Sequence, residues 1–128
     1  MAIKVSIQNV LALRGGQGAY LVTGVLILTG NYVSGGDVVD FTAAVADPAL
    51  VGGAGPFIDS SLAVENFDVW SQGGNITNPY FAVIGTTQKN CKLKVVTAFN
   101  TELGNGVAYS AAILADNIGF MAIFSNLL

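Results

Sequence analysis

The chain has 128 residues, the size of one ordinary domain. It is 52% hydrophobic and 10% charged, with a net charge of −3, whereas ordinary soluble domains are about 25% charged. This balance excludes intrinsic disorder and electrostatic nucleic-acid binding as a main role, and the absence of histidine removes His-based acid–base and nucleophile systems and nearly all zinc sites. Along the chain, period-two and continuous apolar runs alternate with Gly, Asn, Asp and Pro, and no helical stripe is sustained. Residues 2–12 read as a first strand, followed by a turn at Arg14-Gly15-Gly16-Gln17-Gly18. Residues 19–29 read as a second strand, buried on both faces. Residues 30–36 form a loop and 37–42 a short strand. Residues 43–56 are loop-like, broken at Asp47-Pro48 and at Gly52-Gly53-Ala54-Gly55-Pro56, with 43–50 the one stretch where a helical turn fits. Residues 57–72 alternate across Leu62, Val64, Phe67, Val69 and Trp70, with a slip near Asn66. A turn at Gly73-Gly74-Asn75 leads to a strand at 78–87, which has Pro79 near its start, where a missing N–H does least harm. Lys89-Asn90 turns into a strand at 91–100. Asn105-Gly106 is the strongest short hairpin signal, and 107–115 and 118–127 are the last strands. About eight evenly spaced strands predict one all-β domain over residues 1–128, a jelly roll or β-sandwich of antiparallel strands.

The candidates for chemistry are few. Gly15-Gly16-Gln17-Gly18 precedes a strand, so no helix N-terminus follows to cradle a phosphate, and a hairpin turn is the better reading. Asp37 and Asp40, three apart on a strand, face opposite sides and read as strand-edge carboxylates that keep the sheet soluble. A calcium site shared with a neighbouring loop is the alternative. Glu65 and Asp68 would face opposite sides unless a bulge intervenes, so they do not read as a glycosidase pair. Lys89, Lys92 and Lys94, with Tyr80 and Phe81 nearby, form the one basic cluster. Three lysines are too few to track a phosphate backbone, and Lys92 and Lys94 share one strand face. Cys91 reads as a small buried hydrophobe. Trp70, Phe67 and Tyr80 read as core, with a sugar-stacking platform as the alternative. No catalytic residue, metal site or cofactor is expected, and the chain is not expected to be an enzyme.

The N-terminal residues show no signal peptide, and the apolar run at 117–128 is shorter than the roughly 20 residues a membrane helix needs. One unpaired cysteine fits folding in a reducing cytoplasm. The informative anomaly is the shortage of charge. Thirteen charged residues cover a domain surface thinly, which favours association with neighbouring chains. The apolar, uncharged segments are the expected contact elements: Ile3 and Val5 in the first strand, Pro56 and Phe57 in the Gly-rich loop, and Phe120, Phe124, Leu127 and Leu128 at the C-terminal end. Deleting the last eight residues is then expected to abolish association while the core still folds.

The segment Gly30-Asn31-Tyr32-Val33-Ser34-Gly35-Gly36-Asp37-Val38-Val39-Asp40-Phe41, following a Val-Thr-Gly-Val-Leu strand, resembles small structural proteins of tailed-bacteriophage morphogenesis modules, encoded beside the major capsid protein. These look like capsid decoration, or cement, proteins. The resemblance covers residues 22–42. It implies a jelly-roll or sandwich fold, a homotrimer, the major capsid protein as partner, and a place on the capsid exterior after synthesis in the host cytoplasm. Neither nucleic acid nor membrane is expected as a partner. A carbohydrate-binding sandwich and a phage tail or fibre component are the alternative readings.

Overall fold

The computed structural model describes residues 3–13, 19–43, 45–46, 62–73, 80–96 and 101–125. The strands are β1 (Ile3–Leu13), β2 (Ala19–Leu28), β3 (Asp37–Val39), β4 (Val45–Ala46), β5 (Ala63–Ser71), β6 (Tyr80–Val83), β7 (Cys91–Val95) and β8 (Ile118–Ser125). A 3-10 turn at Phe41–Ala43 and one short helix, α1 (Ala111–Ala115), complete the elements among the described residues. The chain is all-β. Its strands form a five-stranded sheet, β4-β1-β2-β8-β5, and a three-stranded sheet, β3-β7-β6, and neither closes into a barrel. Among the described residues, every strand pairing is antiparallel except β1 with β4.

Alternation along the strands explains the layering. Ile3, Val5 and Ile7 of β1, Val22 and Leu26 of β2, and Phe120, Ala122 and Phe124 of β8 point inward and are almost fully buried. From the other sheet, Val39, Cys91, Leu93 and Val95 meet them in one shared core. Burying each large apolar side chain stabilises by about 1.5–3 kcal/mol. Phe41, on the 3-10 turn that follows β3, sits among three rings. Its centroid lies 5.2 Å from Phe67, 5.7 Å from Phe120 and 5.1 Å from Phe124, within the range of favourable edge-to-face contacts.

Two strands carry irregularities. β1 shifts register between Ile7 and Asn9, opposite Gly24 and Thr23 of β2. β5 shifts between Val64 and Asn66 against β8, at the slip expected near Asn66. Such bulges leave one residue unpaired and bend the strand.

Several expectations are corrected. Residues 107–115 are not a strand. Ser110 caps α1 by accepting from the Ile113 amide at 3.3 Å, and the run Ala111-Ala112-Ile113-Leu114-Ala115 is made of good or acceptable helix formers. The Asn105-Gly106 turn forms, with Gly106 at φ 77°, but it does not join two strand ladders. The Gly106 amide instead donates to the Tyr32 carbonyl at 2.8 Å. The strand expected at 37–42 stops at Val39, where the Thr42 amide and hydroxyl both donate to Asp40 and start the 3-10 turn. The strand expected at 78–87 ends at Val83, the one expected at 91–100 is seen from Cys91 to Val95, with 97–100 outside the described residues, and β4 falls inside the stretch expected as loop. The turn at 14–18 and most of 43–61 lie outside the described residues.

Candidate functional site

Residues 30–36 are a docked loop that leads into β3. The Tyr32 amide donates to the Val107 carbonyl at 2.9 Å, and the Ser34 amide donates to Asn105 Oδ1 at 3.0 Å. The Tyr32 hydroxyl donates to Glu102 Oε1 at 2.6 Å, and the Gly35 amide donates to the same oxygen at 2.5 Å. The Tyr32 hydroxyl and the Gly35 amide together hold the Glu102 carboxyl below its ordinary range, against some desolvation. Burial, reinforced by Glu102, pushes the Tyr32 phenol well above its usual value. Asp37 is buried, and the Tyr109 hydroxyl donates to its Oδ2. Desolvation raises its carboxyl, opposed by the Val33 amide. The reading of Asp37 as a solvent-facing edge carboxylate is therefore corrected: its strand turns that face inward against Tyr109. Asp40 is half-buried and serves the 3-10 turn. Among the described residues, no group of three or more acidic or cysteine ligands could hold a metal ion.

Asp116, just past α1, ties the two sheets together. It accepts from the Ser71 hydroxyl of β5 at 2.6 Å, the Tyr80 hydroxyl of β6 at 2.8 Å and the Gly73 amide at 2.8 Å. Desolvation alone would raise its carboxyl, but these bonds, with the backbone at Asn117, outweigh it and hold the group below its ordinary value. A carboxylate depressed in the fold adds stability above its unfolded pKa and loses it as pH falls through the folded one. The urea midpoint is expected to fall as pH drops below about 4. Asp116→Asn should cost about 1–2 kcal/mol near neutral pH, because the group is partly solvated. It should also flatten the acid limb of that profile. An unchanged limb in the variant would remove Asp116 as its cause.

The expected contact residues divide. Ile3, Val5, Phe120 and Phe124 are 0–2% exposed. Their side chains fill the chain's own core and are not available to a neighbour. β8 lies between β2 and β5, so deleting the last eight residues would remove residues 121–125, most of that strand, and Ala122 and Phe124 of the core with it. Pro56, Phe57, Leu127 and Leu128 lie outside the described residues. Of the three aromatic residues considered for stacking, Phe67 and Tyr80 are buried, while Trp70 is 42% exposed. The Trp70 indole lies over Gly119, where an added Cβ would come within 2.5 Å of the ring. Glu65 sits at the β5 bulge, and both it and Asp68 are exposed. Cys91 is buried, and burial pushes its thiol up.

The basic cluster does form one surface. Lys92 pairs across the sheet with Val38 on one side and Val83 on the other, and Lys94 pairs with Phe81. Val38, Val83 and Phe81 are all exposed, Phe81 at 51%. The outer face of the three-stranded sheet is thus an apolar surface with two lysines through its middle. Apolar side chains gathered on one face mark interaction sites more often than scattered ones do. Composition signalled the exposed apolar area, but only strand pairing placed these residues together. No helix among the described residues is long and apolar enough to cross a membrane. No family model, curated protein or solved structure matches the chain.

Proposed function

We propose that this chain is a structural virion protein that binds the outer surface of a phage capsid and staples neighbouring capsomers, with the major capsid protein as partner. The reading rests on the resemblance of residues 22–42 and on one observation, the exposed apolar and basic face formed by Val38, Phe81, Val83, Lys92 and Lys94. On a chain of net charge −3, three of the five basic residues fall between Lys89 and Lys94. A surface of that composition fits an acidic partner with apolar ground between its charges. Its action would be thermodynamic: binding the assembled shell and not its free subunits shifts the equilibrium toward the shell, and contact with several subunits adds avidity. The two sheets around one core fit a sandwich of the jelly-roll kind, which the same resemblance implies.

The test is cosedimentation with shells assembled from the major capsid protein encoded in the same module. The wild-type chain should pellet saturably with shells and not with free subunits. The variant Lys92→Glu should bind at least about tenfold more weakly, and Phe81→Ser likewise, with thermal midpoints unchanged, since these side chains face outward. A wild-type chain that stays in the supernatant overturns the reading. The exposed Trp70 keeps a carbohydrate-binding module as the second reading, and quenching of its emission by glycans, with no shell binding, would favour that one.

A further inference from the structure

Asn105-Gly106 is the one Asn-Gly pair in the chain, and both residues are exposed. Glycine after asparagine puts no Cβ in the way of the backbone nitrogen, so that nitrogen can reach Asn Cγ. The docked loop of residues 30–36 engages both reacting groups. The Gly106 amide donates to the Tyr32 carbonyl at 2.8 Å, which opposes loss of its proton. Asn105 Oδ1 accepts from the Ser34 amide at 3.0 Å. That second bond would stabilise charge developing on Oδ1, so the group withheld is the nucleophile. Release of the Gly106 N–H from Tyr32 is therefore the gate. Few contacts keep it shut. The Tyr32 amide donates to the Val107 carbonyl, Asn31 bridges to Ala108, and the Tyr32 hydroxyl and the Gly35 amide both donate to Glu102. A surface loop held by so few bonds opens locally at far lower cost than the core does.

We infer that Asn105 is a self-modification site, protected while the 30–36 loop is docked and converted irreversibly when the loop lifts. In the lifted state hydroxide takes the Gly106 amide proton, and the Gly106 nitrogen attacks Asn105 Cγ. The new Cγ–N bond closes a succinimide ring. The bond from Cγ to the side-chain nitrogen breaks, and that nitrogen takes a proton from water and leaves as ammonia. Water then opens the ring. Addition at Cγ gives aspartate, and addition at the main-chain carbonyl gives isoaspartate. No oxidation or reduction is involved. The aspartate product adds a negative charge beside Glu102 but can still accept from Ser34. The isoaspartate product puts an extra carbon into the backbone before Gly106. That carbon moves Gly106 and Val107 off Tyr32, to which they make both backbone bonds, so the loop cannot dock again. The inference is independent of capsid binding.

Incubating the full chain in mildly alkaline buffer, with and without urea, tests it. Peptide mapping that separates aspartyl from isoaspartyl products follows residue 105, and hydrogen exchange follows the Gly106 amide. Folding should slow conversion at least about tenfold, by a factor matching the protection of the Gly106 amide, because one opening controls both. Glu102→Ala removes the acceptor shared by Tyr32 and Gly35. With circular dichroism unchanged, it should speed conversion at least about tenfold and lower Gly106 protection in proportion. Tyr32→Phe, which keeps the ring and the backbone bonds, should shift both the same way by a smaller factor, and it serves should Glu102→Ala not fold. Asn105→Gln should abolish the product. Isoaspartyl chains should show Gly106 exchanging as fast as in urea. Equal rates folded and unfolded, a folded Glu102→Ala with unchanged rate, or isoaspartyl chains with Gly106 still protected would each overturn the inference.

Discussion

Gly24→Ala is expected to destabilise the protein by about 3 kcal/mol or more, an overpacking cost at the upper end of the usual range. Gly24 lies in the middle of β2, opposite Ile7 at the point where β1 shifts register. A Cβ there would fall 2.0 Å from the Ser6 carbonyl oxygen, 3.0 Å from Ile7 Cα and 2.9 Å from a Phe120 ring carbon. Two of these neighbours are backbone, and that backbone is held on both sides, since Ser6 and Ile7 also pair with Val45 and Ala46 of β4. The strand cannot give way without losing one ladder. A glycine inside a strand often marks such a close approach of another backbone. Gly106→Ala provides the contrast. Nothing lies within 4 Å of its Cβ position, but φ is +77°, so its cost should be the conformational one alone, about 1–2 kcal/mol. Thermal unfolding of the two variants checks both. At about 4 °C per kcal/mol, Gly24→Ala should lower the midpoint by about 12 °C or more and Gly106→Ala by about 4–8 °C. Equal shifts would mean that β1 does not run past Gly24 as described.

Phe41→Ala is expected to cost about 3–5 kcal/mol. Phe41 is buried on a three-residue 3-10 turn, an element with little stability of its own. Its ring touches Phe67 of β5 and Phe120 and Phe124 of β8. The backbone is held by the Phe41 amide donating to the Gln88 carbonyl at 2.9 Å. Truncation opens a cavity lined by three rings that the flanking strands prevent from collapsing. Phe41→Leu should cost clearly less, because most of the volume stays. Urea unfolding at neutral pH measures both, and a Phe41→Ala loss below about 1 kcal/mol would place the ring outside the core.

Much of the fold class was legible. β1, β2 and β8 stand within a residue or two of where alternation and continuous apolar runs put them. The slip near Asn66 was legible because Glu65-Asn66 sets two polar residues side by side in an otherwise alternating run. The helix at Ala111–Ala115 had a readable signal, Ser110 before an alanine-rich stretch, but it lay inside a run whose apolar content also suits a strand. The shared face of Lys92 and Lys94 followed from period two alone.

The rest depended on pairings between distant parts of the chain. The parallel contact of β4 with β1, the Tyr109 hydroxyl on Asp37 and the meeting of Ser71, Gly73 and Tyr80 at Asp116 join residues with no local relation. The contact elements show the limit most clearly. Ile3, Val5, Phe120 and Phe124 were expected to meet a neighbour and instead fill the chain's own core. Patterning determined that this chain is all-β, and composition that it is short of charge, without histidine chemistry, and rich in apolar surface to be covered. Only the tertiary structure decided which apolar residues the chain covers itself and which, such as Phe81 and Trp70, it leaves outside. The hydrophobic effect is non-directional, so a strand's apolar pattern reads the same whether its own sheet or another molecule excludes the water.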